Sequence, residues 1–366
     1  MRILVLSNSF SGLHSFRKEV FQAFLNQGWK IVISCPVEND REKAEWFKNI
    51  GCDIIYIKFE RQGINPLEDF KLMFAYNKLI KQTKPDVLLS YTIKPNLYGG
   101  LVAAVNGVPQ LANVTGLGAA VEYPGLLQQL TIMLYKVCMR KTRLVFFQNN
   151  ANRQFCFDHK MIRGRTQLIP GSGVNLQYHT LKPYPTKDEP VRFLFISRIR
   201  KEKGIEEYLA AAESIKNEYT NTEFYVIGVC EEDYENRLKQ MTEKGIVIYY
   251  GYQSDVRPFI ERASCIIHPS FYPEGMSNVL LEACAAGRPV ITTNRPGCGE
   301  IVEDGKTGFI VRQHDSLYLI EKIRLFLSKN YEVRKQMGLA ARKKVEREFD
   351  RQIVVNAYLD EIKNLQ

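Results

Sequence analysis

The sequence predicts an α/β protein built from two Rossmann-like, doubly wound parallel-sheet domains. Three observations carry that expectation. Apolar runs of strand length alternate with longer amphipathic stretches, the alternation restarts after the polar, proline-punctuated segment Lys182–Pro190, and 366 residues exceed one ordinary core.

The opening run Arg2–Ser7 is shorter than the apolar region of a secretory signal, and no small-residue cleavage site follows, so it reads as a buried strand. An amphipathic stretch from about Ser15 to Gln27 leads to a second strand, Lys30–Cys35. Strands are then expected at Asp53–Lys58, Asp86–Ser90, Gln110–Val114 and Leu144–Gln148, with a helix at Asp69–Thr83 among those between them. The second half gives strands Val191–Ile196, Glu223–Val229, Ile246–Tyr250, Cys265–His268 and Pro289–Thr292. Its helices are expected near Gly204–Tyr219, Tyr234–Lys244, Val256–Ala263 and Asn278–Gly287. Residues 1–181 and 182–349 are the expected domains, with 350–366 packing back on the first. Open sheets of this kind bind ligands outside the carboxyl ends of their strands, so the two domains are expected to face one cleft.

Composition narrows the functional classes. With 45% hydrophobic and 25% charged residues the chain is globular, and it lacks the run of about 20 apolar residues a spanning helix needs. Its eight cysteines show no CxxC pairing and read as free thiols of a reducing cytoplasm. The net charge of +10 is polarised: residues 1–175 hold 22 Lys and Arg against 12 Asp and Glu, leaving 28 of each sign for the rest. Such a field suits an anionic partner such as phospholipid, a lipid diphosphate or nucleic acid.

Two segments carry the chemistry. Glu274–Glu282 (EGMSNVLLE) follows a strand and a loop; Glu274 falls in the loop and Glu282 in the early turns of the next helix, whose N-terminus offers unpaired amides to phosphate or sugar oxygens. Ser197–Gly204 (SRIRKEKG) directly follows a strand, and there Arg198 and Lys203 could clamp a diphosphate, the one through planar bidentate bonds and the other as a point charge. A solvated basic loop is the alternative for that segment. The glycine-rich turn Pro170–Asn175 reads as an interdomain hinge.

In order and spacing, SRIRKEKG, the stretch His268–Thr293 (HPSFYPEGMSNVLLEACAAGRPVITT) and Pro296–Val311 (PGCGEIVEDGKTGFIV) resemble the retaining glycosyltransferases of family 4, whose GT-B architecture pairs two facing Rossmann-like domains. In the first half, SNSFSGLHSFR from Ser7, YTIKPNLYGGLVAA from Tyr91 and NVTGLG from Asn113 look like the bacterial subgroup that builds capsule, O-antigen and related glycans on undecaprenyl diphosphate. The resemblance implies that Glu274 lies at the donor sugar, that Glu282 binds ribose hydroxyls, and that Arg198 and Lys203 hold the diphosphate. The amides of Gly275, Met276, Ser277 and Asn278 would read sugar hydroxyls. The Gly12 loop would close on the donor, and Tyr252 follows the strand where the family places the base. The family's usual N-terminal glycine pair is reduced here to Gly12.

The same resemblance implies a UDP-sugar substrate, with N-acetylhexosamine preferred to hexose, and retention of anomeric configuration; a glycosyltransferase with another nucleotide-sugar donor or a soluble acceptor is the alternative. It also implies a polyprenyl-diphosphate-linked saccharide acceptor and peripheral attachment to the inner face of the cytoplasmic membrane. No cofactor or metal is expected, since the sequence has neither a DxD triad nor a His/Cys cluster with ligand spacing. His14, Lys94, Asn96, Thr115 and Gly116 are acceptor-site candidates, whereas His179 reads as a surface residue. Leu126–Arg143 is amphipathic and becomes basic at its end; Leu127, Leu130, Leu134 and Val137 are expected to face the core and the cations to face an anionic membrane.

A dinucleotide-binding oxidoreductase is the competing enzyme class. It fits less well, because the first strand leads into SNSFSG rather than GxGxxG and no acidic residue follows TGLGAA on the next strand. Nucleic-acid binding is disfavoured because aromatic residues are not interleaved with the cations as a stacking platform requires.

Overall fold

The computed structural model describes residues 1–36, 41–59 and 65–365. They form two compact units, Met1–Ser172 with Gln352–Gln366, and Gly173–Arg351.

The first unit is a seven-stranded parallel sheet: β1 (Arg2–Leu6), β2 (Lys30–Cys35), β3 (Asp53–Tyr56), β4 (Val87–Tyr91), β5 (Gln110–Val114), β6 (Leu144–Phe147) and β7 (Arg165–Leu168). Its order is β3-β2-β1-β4-β5-β6-β7, reversing direction between β1 and β4. Each central strand reads as a continuous apolar run because both of its faces are covered. In β1, Ile3 and Val5 point into one core while Leu4 and Leu6 point into the other. Helices Phe10–Asn26 and Arg41–Asn49 and the C-terminal helix Arg351–Lys363 fill the first core, the last through Val354, Tyr358 and Ile362. Helices Pro66–Thr83, Gly100–Val105 and Leu126–Cys138 cover the opposite face.

The second unit repeats the plan with β8 (Val191–Ile196), β9 (Thr222–Ile227), β10 (Ile248–Tyr249), β11 (Cys265–His268), β12 (Val290–Thr293) and β13 (Gly308–Val311). The order is β10-β9-β8-β11-β12-β13, so β8 and β11 are the neighbours at which the winding reverses. Helices Ile205–Glu218 and Ser316–Ser328 pack on one face, and Arg257–Arg262, Asn278–Ala285 and Tyr331–Glu348 chiefly on the other.

The differences from expectation have local causes. β7 and β13 were not foreseen: β7 (RTQL) has no apolar run because it is a partly exposed edge. The first helix starts at Phe10, five residues before the expected Ser15, because Ser9 caps it through a hydrogen bond from Gly12 N to Ser9 Oγ at 3.2 Å. Leu126–Cys138 buries Ile132, Tyr135 and Cys138, leaving Leu127, Leu130 and Val137 exposed rather than in the core. The chain passes between the units at Ser172–Gly173, not at 181–182.

Lys182–Pro190 is therefore not a linker. It is fastened to the second unit by the fully buried Arg288, whose guanidinium donates to Pro183 O (2.6 Å), Lys182 O (3.2 Å), Ile260 O (3.0 Å), Glu261 O (2.7 Å) and Ala286 O (2.9 Å). Tyr184 adds a hydroxyl bond to Ser264 O at 2.8 Å. All eight cysteines are free thiols, and no helix among the described residues is long and apolar enough to cross a membrane.

Arg288→Met keeps the apolar stem and leaves those carbonyls without their donor. We expect it to lower the unfolding free energy of the second unit by about 2–4 kcal/mol in urea titration; an unchanged midpoint would remove Arg288 as the fastening of the segment.

Candidate active site

Because β8 and β11 are adjacent, the loops leaving them at Ser197 and Pro269 emerge side by side from the carboxyl edge of the second sheet. This is the position at which doubly wound sheets bind ligands. The β8 loop ends in a single helical turn, Lys201–Lys203, closed by Gly204 at φ 80°. A Cβ there would lie 2.2 Å from Pro269 O, so glycine is what lets the two loops touch. Phe271 N then donates to Glu202 O at 3.0 Å and joins them.

This junction brings Lys203 Nζ directly onto Glu274 Oε1 as an ion pair, with the two side chains only 8% and 16% exposed. Each charge offsets the desolvation of the other, and removing either would strand its partner. Lys203 Nζ also sits 4.3 Å above the Tyr272 ring, which Arg200 and Arg198 approach to 5.4 and 5.7 Å. One aromatic ring thus gathers three cations. Glu231 spaces the arginines, lying 3.0 Å from Arg198 Nη1 and 3.5 Å from Arg200 Nη1. Behind the pair, His268 ends β11 with Nε2 4.0 Å from Glu274 Oε1. Burial, helped by Lys203, pushes its imidazole down to about 3, so the ring is neutral, and both of its nitrogens lack a hydrogen-bond partner among the described residues.

The Glu274 loop rests on Gly297, which has φ 87° and whose carbonyl accepts from Ser277 N at 2.8 Å; a Cβ on Gly297 would meet Gly275 O at 2.7 Å. Past Ser277 the helix Asn278–Ala285 begins with no side-chain cap. Its positive end and first amides lie next to an Asn278 Oδ1 that is buried with no hydrogen-bond partner among the described residues. Glu282, on the same helix, has a side chain 22% exposed and lies 4.0 Å from His179 Nε2. Burial pushes its carboxyl up to about 7 against the pull of Arg351.

The structure therefore collects Arg198, Lys203, Glu274 and Gly275–Asn278 around one point, with Glu282 on the helix leading from it. Tyr252 follows β10 and is 71% exposed, its loop tied through Gly228 N to Gly251 O at 3.0 Å. In the first unit Gly12 lies in the first turn of a helix rather than in a loop. His14 packs edge-on against Trp46 at 4.8 Å, and burial, then Lys18 and Lys43, lowers its pKa. Lys94 Nζ pairs with Asp69 Oδ1 at 2.9 Å. Asn96 is buried, accepting from Ser90 Oγ and donating to Asn113 O, both at 2.8 Å, which makes it a strut between β4 and β5 rather than a free ligand group. Thr115 and Gly116 lie just past β5, Gly116 at φ 144°.

Sequence reasoning missed Tyr272, Arg200, Arg351 and His179. Arg200 lies inside one of the two segments it singled out and Tyr272 two residues before the other, but nothing in a linear pattern shows that one ring would serve both. Among the described residues, no group of three His, Cys, Asp or Glu could hold a metal ion.

Two Rossmann-like units, one presenting clustered cations, a buried lysine–carboxylate pair and an uncapped helix at its winding reversal, define a GT-B protein. Residues 180–344 match the family described as Glycosyl transferases group 1, and residues 2–149 match Glycosyl transferase 4-like; the chain belongs to the family 4 glycosyltransferases. Among its relatives, the N,N'-diacetylbacillosaminyl-diphospho-undecaprenol alpha-1,3-N-acetylgalactosaminyltransferase of Campylobacter jejuni is 25% identical over 344 residues, covering 89% of each chain. The capsular polysaccharide biosynthesis glycosyltransferase CapM of Staphylococcus aureus is 25% identical over 335 residues, covering 87% of this chain and 86% of its own. A glycosyltransferase from Rickettsia africae superposes with TM-score 0.80 at 19% identity, covering 100% of this chain and 98% of its own. Anabaena HepE in complex with UDP and glucose gives 0.79 at 18%, with full coverage of both.

The raised Glu282 carboxyl has a defined effect on stability. Its folded-state value of about 7 exceeds the ordinary 4.5, so its contribution is fully present below pH 4.5 and lost as pH rises through 7. Glu282→Gln should therefore be more stable than the parent above pH 7, by up to about 3 kcal/mol, and equal to it below pH 4.5. A constant difference across that range, read by denaturation at each pH, would contradict the burial argument.

Proposed function

We propose that this chain transfers a sugar from a UDP-sugar, with retention of anomeric configuration, to a saccharide carried on polyprenyl diphosphate in the assembly of a bacterial surface glycan. The observation that carries the reading is the Lys203–Glu274 pair with Arg198 and Arg200 on the Tyr272 ring beside an uncapped helix. It sets fixed positive charge next to a carboxylate, and a departing nucleoside diphosphate needs the first while a sugar's hydroxyls need the second.

In this reading Lys203 and Arg198 stabilise the charge that develops as the bond between the anomeric carbon and the diphosphate oxygen breaks. The acceptor oxygen bonds to the same face of that carbon, its proton passes to the departing phosphate oxygen, and UDP leaves. Glu274, held by Lys203, accepts from sugar hydroxyls and positions the ring. Of the amides expected to read sugar hydroxyls, Ser277 N is already given to Gly297 O at 2.8 Å, so the reading leaves that role to Gly275, Met276 and Asn278, and Glu282 accepts from the ribose hydroxyls, whose donation favours its ionised form. The cations already present supply the charge neutralisation, so the reading calls for no metal.

The Campylobacter relative's name supports an N-acetylhexosamine donor and an undecaprenyl-diphosphate-linked acceptor, the Staphylococcus relative's name supports a capsule-type product, and the UDP bound to HepE supports the nucleotide. Such an acceptor implies work at the inner face of the cytoplasmic membrane.

Calorimetric titration with UDP, GDP and NAD tests the donor site. UDP alone should bind, and Lys203→Ala and Glu282→Ala should each weaken it about tenfold or more, as expected for a lost charge-assisted hydrogen bond. Binding of NAD, or UDP binding indifferent to both substitutions, would overturn the assignment.

A further inference from the structure

One face of the first unit turns apolar side chains to solvent from two helices. On Leu126–Cys138 the buried residues are Ile132, Tyr135 and Cys138, while Leu126, Leu130, Met133 and Val137 are between 54% and 74% exposed. Their spacing of four, three and four places them in one stripe away from the core. Pro66–Thr83 repeats the arrangement: Leu72, Tyr76 and Leu79 point in, and Leu67, Phe70 and Phe74 are between 58% and 74% exposed. Both helices cover the same side of the sheet, since Tyr98 packs against the core beneath each of them.

Each stripe runs into cations where its helix ends. Phe74 is followed by the exposed Lys78, Lys81 and Lys84, and Met133 by Lys136, Arg140, Lys141 and Arg143. The helices end just before β4 and β6 begin, so both basic ends lie at the amino edge of the sheet. There an open cavity of about 690 Å³ is lined by Lys141, Arg143, Arg163 and Arg165. The nearby acids are engaged: Glu68 pairs with Lys71 at 2.7 Å, Asp69 with Lys94 at 2.9 Å, and Arg165 with Glu361 at 2.8 Å.

We propose that this two-helix face seats the protein on an anionic phospholipid bilayer. The stripes of both helices enter the boundary between headgroups and acyl chains, and the cations at their ends meet lipid phosphates. Two stripes of large apolar side chains turned to solvent on one face of the sheet are what a membrane-contact surface supplies, and the cations beside them select an anionic occupant. A second copy of the chain would bring like charges together. The inference identifies the surface from which the enzyme would reach a lipid-linked acceptor, yet it rests on the first unit's surface alone and not on the donor assignment.

The test is flotation of the full chain with vesicles of phosphatidylcholine, with and without phosphatidylglycerol, alongside UDP titration of every variant. Binding is expected only with phosphatidylglycerol and should weaken with salt. Phe70→Ser/Phe74→Ser and Leu130→Ser/Met133→Ser should each lower vesicle partitioning about tenfold or more, as loss of two buried apolar side chains predicts. Arg140→Gln/Lys141→Gln/Arg143→Gln should remove much of the salt-dependent part, and all three variants should keep the parent's UDP affinity. Vesicle binding indifferent to the Phe70/Phe74 pair would overturn the two-helix face. Absence of vesicle binding together with a dimer that the same substitutions dissolve would assign the face to a second copy. Loss of UDP binding in the parent with vesicle binding intact would instead overturn the donor reading alone.

Discussion

The second unit is organised around one buried contact, the ion pair of Lys203 and Glu274. Placing both charges out of water is costly, and it is tolerated only because each meets the other. That meeting requires β8 and β11 to be neighbours, which the reversal of strand order provides, and it requires a glycine at 204, where any side chain would strike the Pro269 carbonyl. Tyr272 and the neutral His268 complete the surroundings, one attracting the cations from a ring face and the other lying behind the carboxylate without adding charge. Fold, loop contact and site electrostatics are thus a single arrangement.

Much of the fold was legible because doubly wound sheets write their strands as apolar runs. Lys30–Cys35, Gln110–Val114, Val191–Ile196 and Cys265–His268 coincide with the expected strands to the residue. The signal faded where burial does: β7 lies at an edge with Arg165 and Leu168 exposed, and carries no apolar pattern to read. Lys182–Pro190 looks like a linker by composition, since proline and charge are what linkers contain, but one buried arginine many residues away holds it down. Such a long-range fastening leaves no local trace.

The site was legible by a different route. Lys203, Glu274 and Glu282 stood out through their motifs, and the strand order explains why segments 71 residues apart meet. What the motifs could not express was sharing: one Tyr272 ring under three cations, or Glu282 set between His179 and Arg351. In the first unit the same limit worked in reverse. Lys94 and Asn96 have suitable chemistry and follow a strand, yet Asp69 engages the first and the β4–β5 strut engages the second. On Leu126–Cys138, Leu127, Leu130 and Val137 were read as core along with Leu134, which does pack there, because helical periodicity reports a face without saying which way it points.

The central claim is that Lys203 and Glu274 act as one element in holding the donor. A double-mutant cycle on UDP affinity, with Lys203→Met, Glu274→Gln and both together, measures this directly. The account predicts strong coupling, the double variant binding no more weakly than the weaker single variant, with an interaction energy of about 1–3 kcal/mol. Additive losses, agreeing within about 0.5 kcal/mol, would mean that the two residues act independently and that the pair is not the foundation of the site.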